Sequence, residues 1–330
     1  DYYSSIDFNQ DGTSVRLQLS NLIINTHHTF IPYTSSSTDT WDIIRDSDLE
    51  FENSNDVLLV YGYDDNDEQF INDRTRNKYD TCHTSSCIGL WNREHVFARS
   101  LANPNLTTFE PGPGTDVHNL RAADSQKNTQ RSNRLFTNGN GNSSIVDNDF
   151  YPGDEWKGDV ARIIMYMYLR YPGQCEATSS ATGDISYAPE NDMPDLFLEW
   201  NEQDPVSELE TRRNNIIYSF QGNRNPFIDN PYLATIIWNG PQANDNWSLL
   251  SSVDQSSSSI FISPSIAENF INIIGAGDNS FKIYVFNQLG QIMIEGRDEK
   301  SIDISSLSSG VYILKLIQSS KIIQSKFVVK

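Results

Sequence analysis

Apolar residues recur at three- and four-residue steps in some stretches of this chain and alternate with polar residues in others, so helices and strands are both expected. Leu17, Leu19, Leu22, Ile23 and Ile24 cluster around helical spacing ahead of Pro32, which predicts a helix followed by a turn over residues 13 to 33, with His27 and His28 at the surface. Residues 56 to 63, DVLLVYGY, form a short apolar run rich in β-formers between acidic turn residues and predict a buried strand. From Trp156 to Tyr171 the residues Val160, Ile163, Ile164, Met167 and Tyr168 make one apolar helical face that ends before Pro172. Residues 195 to 220 read as two helical pieces around Pro205.

The pattern changes after Trp247. SSVDQSSSS offers nothing to a core and is expected to be a flexible connector, residues 251–259, closing a large domain over residues 1–250. Beyond it FINIIG, FKIYVFNQLGQIMIEG, VYILKL and IIQSKFVVK alternate apolar and polar positions between Gly and Ser turns, which predicts a small antiparallel β-sandwich over residues 260–330. That segment has neither His nor Cys, so address or adhesion suits it better than catalysis. The 330 residues suffice for one full core plus this smaller unit. No run of about 18 apolar residues exists to span a membrane. The chain opens at Asp1 without an apolar leader and reads as a mature form from which a targeting segment has been removed.

Of three cysteines, Cys82 and Cys87 are near enough to close a small loop, leaving Cys175 as a free thiol. The competing reading, a zinc site of Cys82, His83 and Cys87, lacks a second ligand pair at finger spacing. A net charge of -20 argues against a polyanionic partner. Residues 91 to 136 run against that trend: Arg93, Arg99, Arg121, Lys127, Arg131 and Arg134 face Glu94, Glu110, Asp116 and Asp124, six against four, a balance of +2. Screening within about 8 Å at physiological salt lets such a patch hold phosphate at short range.

The same stretch carries the candidate chemistry. It reads LWNREHVFARS, then a loop rich in Pro and Gly, then GTDVHNLRAADSQKNTQRSNRLF. Phosphodiester hydrolysis requires a base for water, a hard cation and stabilisation of the leaving oxygen. His95 can be the base, since imidazole is largely neutral at pH 7. Glu94 can hold the cation together with the amide oxygen of Asn128, because magnesium takes oxygen ligands and keeps several waters. Neighbours on a regular strand point to opposite faces, so Glu94 and His95 must sit at a strand end or bulge. Residues 124 to 136 predict a helix capped by Asp124, with Asn128, Arg131 and Ser132 on one face. Against this stand plainer readings: an isolated His such as His95 is more often structural, His118 in DVHNL reads as a partly buried strand-end residue, Asn119 beside it can orient His95, and Arg131 with Arg134 can be a solvated face.

NREHVFARS followed by DVHNLRAADSQKNTQRSN, with WKGDVARIIMYMYLRYP and LEWNEQDPVSELETRRNNIIYSFQGNRNPFIDNP downstream, resembles the bacterial endonuclease I family over roughly residues 1 to 240. That resemblance implies an α+β fold with a ββα-metal (His-Me finger) centre. It implies His95 as general base, Glu94 and Asn128 as ligands of Mg2+ (Mn2+ or Ca2+ in its place), Asn119 as support for the histidine and Arg131 as a phosphate-binding arginine. Arg93, Arg99, Arg121 and Arg134 remain as substrate-binding candidates, with Arg99 or Arg121 at the leaving group. KIYVFNQLGQIM, DISSLSSGVYILKL and the final SKFVVK resemble the C-terminal domain sorted by the Bacteroidetes type IX system, with SPS at Ser263 to Ser265 in place of the usual Pro-Asn-Pro. Together these imply a secreted, monomeric, sequence-nonspecific endonuclease that cuts DNA and RNA to 5′-phosphate ends and meets the secretion machinery through its tail. Two other readings are a phosphodiesterase for small substrates and a nonenzymatic surface adhesin.

Overall fold

The computed structural model describes residues 2–84, 87–249, 261–264, 266–274, 280–288, 290–318 and 321–330. The chain divides into two compact units, Asp1–Trp247 and Ser248–Lys330. The expected connector at residues 251–259 lies outside the described residues.

The first unit mixes helices with short strand pairs. Helix α1 (Gly12–Thr26) starts where the Asp11 side chain accepts from the Ser14 amide, and α2 (Thr40–Ser47) starts in a capping box made by Asp39 and Asp42. Strands β1 (Asp56–Leu58) and β2 (Thr75–Asn77) pair antiparallel. Strands β3 (Trp91–His95) and β4 (Leu120–Asp124) form a second antiparallel pair, with Trp91 opposite Asp124 and His95 opposite Leu120. Helix α3 (Ser125–Arg131) follows β4 at once, because the Asp124 carboxylate accepts from the amides of Gln126 and Lys127. A hairpin, β5 (Ser144–Val146) with β6 (Asp149–Tyr151), leads to α4 (Lys157–Arg170), then α5 (Asp195–Gln203), α6 (Glu208–Gln221), α7 (Pro226–Asp229) and α8 (Tyr232–Trp238).

One apolar cluster joins Trp41, Ile43 and Ile44 of α2 to Val57, Trp91, Val117, Leu120, Ala122 and Ile217. Helices α2 and α6 thereby cover one face of the β3–β4 pair, and α3 hangs from its end. The predicted strand at 56 to 63 is shorter than expected: only Asp56–Leu58 pair as a strand, and Leu59 to Tyr61 are buried in a turn, with the Gly62 amide donating to the Leu59 carbonyl at 3.0 Å. A run of β-formers is buried here without a partner strand long enough to hold it extended. The helix expected over 124 to 136 ends at Arg131, where Ser132 takes φ of 54°.

A second correction concerns His27, expected at the surface and found buried. Its Nδ1 accepts from the Arg170 Nε at 3.1 Å and lies 3.7 Å from an Asp116 carboxylate oxygen. His28 is exposed. Asp116 anchors this polar interior, accepting from the Tyr166 hydroxyl at 2.7 Å, the Tyr171 hydroxyl at 2.9 Å and the Gln221 amide at 2.9 Å. His118 is buried beside it, its Nε2 3.3 Å from the Asn223 carbonyl oxygen, the structural placement its apolar neighbours suggested. Burial pushes the His118 pKa down to about 3, and nearby Asp116 offsets only part of that. In the unfolded chain His118 titrates near 6.5, so its neutral form stabilises the fold above that pH and the contribution is lost as pH falls toward 3. Substituting His118→Gln removes the titration but keeps a donor for Asn223. Paired urea unfolding at pH 7 and pH 5 should therefore show the variant gaining on the wild type by up to about 1.4 kcal/mol per pH unit; an unchanged gap between the two proteins refutes this.

The second unit is a sandwich of two sheets. One runs β11 (Ile292–Arg297), β10 (Lys282–Phe286), β13 (Gly310–Gln318), β14 (Lys321–Val329), β8 (Ile266–Ala267), and the other β12 (Ser301–Asp303), β9 (Phe270–Ile274), β7 (Phe261–Ser263). Ile271 and Ile273 from one sheet meet Ile283, Val285, Leu314, Leu316 and Phe327 from the other in a common core. Pairing is antiparallel except between β14 and β8, which run parallel. Among the described residues no helix is long and apolar enough to cross a membrane.

Candidate active site

Successive residues of β3 alternate faces, and the chain uses both. Arg93 and His95 meet Tyr33 on one side, with the Arg93 guanidinium carbon 3.4 Å from that ring's centre and the His95 ring 5.7 Å away. Glu94 on the other side accepts from the Tyr61 hydroxyl at 3.1 Å and lies 3.6 Å from Arg131 Nε. Because β3 ends at His95, Glu94 and His95 border one cleft of about 510 Å3 that is also lined by Arg99, Asn105, Asn128, Ser132 and Asn133. The strand end resolves the difficulty of two adjacent side chains serving one site.

His95 Nε2 lies 2.8 Å from the Gly114 carbonyl oxygen. A carbonyl can only accept, so Nε2 carries the hydrogen and Nδ1 keeps the lone pair of a base. Burial lowers the ring's pKa to about 4, and the charges of Arg99, Arg93 and Arg131 act the same way. The imidazole is therefore neutral at physiological pH. Gly114 is required at its position: a Cβ there would lie 2.0 Å from the Thr107 carbonyl oxygen. Gly114→Ala should shift this turn and its carbonyl, lowering kcat on the order of 10²-fold with the fold retained by circular dichroism. A variant with wild-type kcat shows that the carbonyl does not position the ring.

Burial raises the Glu94 pKa to about 7, against the opposing charge of Arg131 and the Tyr61 hydrogen bond. A buried carboxylate so poorly compensated has room for another positive charge. Asn128, on the cleft wall, donates its Nδ2 to Asn92 Oδ1 at 2.8 Å, which leaves its own amide oxygen available as a ligand. Among the described residues no group of three or more His, Cys, Asp or Glu side chains converges to hold a metal. One carboxylate and one amide fit a hard cation that keeps most of its waters, as magnesium does, and suit zinc poorly.

The remaining sequence candidates separate. Arg99 is exposed on the cleft wall, its Nε donating to the Leu106 carbonyl at 2.9 Å. Arg131 is buried and donates to the Val96 carbonyl at 2.8 Å, so it braces the end of β3 and presents no free fork to a phosphate. Arg121 is corrected outright: it is buried against Asp48 at 3.1 Å and Asp159 at 2.7 Å. Arg93 is sandwiched between Tyr33 and Trp41 and donates to Thr40 Oγ1 at 2.8 Å, so substrate binding is corrected there too. Arg134 donates to the Gln130 carbonyl and does not line the cleft. The positive patch inferred from residues 91 to 136 is thus largely internal, since Arg121, Lys127 and Arg131 are all buried. Asn119 supports the backbone beyond the histidine, its Oδ1 accepting from the Phe97 amide at 2.7 Å, and the partner of the imidazole is Gly114. Cys82 and Cys87 form a disulfide, which removes the zinc alternative, and Cys175 is free and buried. Gly114, Tyr61 and Tyr33 were not read from the sequence; the Pro-Gly-Pro-Gly run at 111–114 signalled a turn but not its target.

The sequence profile of endonuclease I matches residues 11–232, and that of the secretion system C-terminal sorting domain matches residues 262–330. An extracellular ribonuclease of Bacillus subtilis (strain 168) is 37% identical over 248 residues, 72% of this chain and 78% of its own length. An extracellular ribonuclease of Bacillus amyloliquefaciens is 37% identical over 240 residues, 69% of this chain and 75% of the relative. A periplasmic deoxyribonuclease of Aeromonas hydrophila is 30% identical over 125 residues, 34% of this chain and 47% of the relative. The sorting domain and these relatives mark the protein as secreted. With Glu94, His95 and Asn128 brought to one cleft inside the matched region, the chain is a nuclease and belongs to the endonuclease I family.

Proposed function

We propose that the β3–β4–α3 unit is a ββα-metal centre that hydrolyses DNA and RNA without sequence preference. The observation that carries this is the convergence of Glu94, Asn128 and a neutral His95, whose Nδ1 is free to accept, on one cleft. His95 takes a proton from the attacking water at Nδ1 while Gly114 keeps the ring oriented through Nε2. A magnesium ion held by Glu94 and Asn128 would supply positive charge for the phosphorane and the leaving oxygen. Arg99, the exposed cation of the cleft wall, neutralises a nonbridging oxygen. The bond from phosphorus to the 3′ oxygen breaks, the departing oxygen takes a proton from a water of the cleft to leave a 3′-hydroxyl and a 5′-phosphate, and no covalent intermediate with the protein forms. Ser132, Asn133 and Asn105 offer hydrogen bonds suited to sugar and phosphate, which supports cutting without sequence preference. The names of the relatives, ribonuclease and deoxyribonuclease, support action on both polymers. The protein acts as a monomer, exported by the type IX machinery through its tail.

Incubating the purified protein with supercoiled plasmid, and separately with RNA, in magnesium and in excess chelator tests the reading. Degradation of both polymers in magnesium alone, with 5′-phosphate ends, is the expected result. Polymers left intact in both conditions, with a small diester cleaved, point instead to a phosphodiesterase; retained polymer binding without cleavage points to a binding module.

A further inference from the structure

Asn128 serves a cation only if its amide oxygen, and not its NH2, faces the cleft. The structure assigns that choice to a relay of three groups outside the cleft, in which Asn92 is the positioning residue. Asn92 and Glu94 share a face of β3, two residues apart. Asn92 Oδ1 accepts from Asn128 Nδ2 at 2.8 Å, and Asn92 Nδ2 reaches Ser125 Oγ at 3.4 Å. Ser125 is the first residue of α3 and is buried. Its Oγ accepts from the Cys87 backbone amide at 3.0 Å, and its own hydrogen points to Cys82 Sγ at 3.5 Å. Those two cysteines are joined by the disulfide.

The direction of every link follows from the two bonds that Ser125 makes to the disulfide loop, one to a backbone amide that can only donate and one to a disulfide sulfur that can only accept. A backbone N–H can only donate, so Ser125 Oγ accepts from Cys87. With the Ser125 hydrogen committed to Cys82 Sγ, only an acceptor lone pair is left for Asn92, which must therefore present its Nδ2. The Asn92 oxygen then faces Asn128 and requires Asn128 to present its Nδ2 in turn. What Asn128 has left is its oxygen. The disulfide between Cys82 and Cys87 thus fixes the polarity of a ligand amide on another element. The inference rests on the metal reading of Glu94 and Asn128 proposed above.

Metal affinity is the readout, measured without substrate by titrating Mn2+ into the full chain and following the free ion by electron paramagnetic resonance. Asn92→Leu removes both links and should weaken Mn2+ binding on the order of 10- to 100-fold, the usual cost of losing an outer-shell partner, with the thermal midpoint near that of the wild type. Asn92→Asp keeps an acceptor toward Asn128 and should retain affinity within a few-fold. Ser125→Ala frees Asn92 to flip and should weaken binding less than Asn92→Leu; it decides the matter if Asn92→Leu does not fold. Wild-type affinity in both Asn92→Leu and Ser125→Ala, or a loss in Asn92→Asp as large as in Asn92→Leu, overturns the relay. Glu94→Gln runs alongside: if it binds Mn2+ like the wild type, the metal reading itself fails, whereas lost binding there with an unaffected Asn92→Leu sinks the relay alone.

Discussion

His95→Ala lowers kcat for plasmid nicking by about 10³-fold, within the range that a positioned general base contributes, while the protein folds and binds Mn2+ as before. The ring sits at the end of β3, where its removal leaves the β3–β4 pairing intact, and its bonded partner is a single backbone carbonyl. His95→Gln separates base from brace. A glutamine Nε2 can still donate toward the Gly114 carbonyl as the imidazole Nε2 does, but it has no basic nitrogen, so both variants should fall equally if the imidazole takes the proton from water. If His95→Gln retains more than about a tenth of the wild-type kcat, well above what loss of a general base permits, the ring acts by holding its loop and another group is the base. Thermal midpoints and Mn2+ titration accompany both assays, since a lost fold or a lost cation would imitate the chemical effect.

Much of this site was legible because its parts lie close in sequence. Glu94 and His95 are neighbours, and Asp124 as cap of a helix bearing Asn128 and Arg131 follows from local rules that the structure obeys. The paired helices around Pro205 and the long helix before Pro172 follow from periodicity alone. What failed was everything set by approach of distant segments. Tyr61 meets Glu94 across 33 residues, and Arg121 meets Asp48 across 73. The sequence carries the charge of Arg121 but not its direction, so counting charges over residues 91 to 136 turned three internal braces into a surface patch. His27 failed for the same reason: Asp116 and Arg170, remote in sequence, surround it with partners that make burial tolerable. Asn119, expected to orient His95, bonds the Phe97 backbone and not the ring, a matter of side-chain direction that no spacing encodes.

Asp48→Ala costs about 3–5 kcal/mol of stability, the range for breaking a buried ion pair by removing one partner. That is a large share of the 5–15 kcal/mol that holds a typical domain together. Asp48 is fully buried at the end of α2. One of its carboxylate oxygens accepts from Arg121 Nε at 3.1 Å and from the Ala122 amide at 2.9 Å; the other accepts from the Ser47 hydroxyl at 2.8 Å and from Arg213. Arg213 in turn donates to the carbonyls of Val117 and Leu120, so one carboxylate ties α2 and α6 to the strand opposite β3. Without it two buried guanidinium groups face each other with Asp159 as the remaining counter-charge of Arg121. Burial already depresses the Arg213 pKa to about 10 with Asp48 present. Asp48→Ala should therefore lower the urea midpoint steeply, and Asp48→Ala with Arg213→Met should recover part of the loss, because a cation removed is a cation that no longer lacks a partner. Activity per folded molecule should change little at temperatures where the variant is folded, since neither side chain borders the cleft. A loss below about 1 kcal/mol, the scale of an exposed pair, means that water reaches Asp48 and that the clamp on β4 is apolar packing alone.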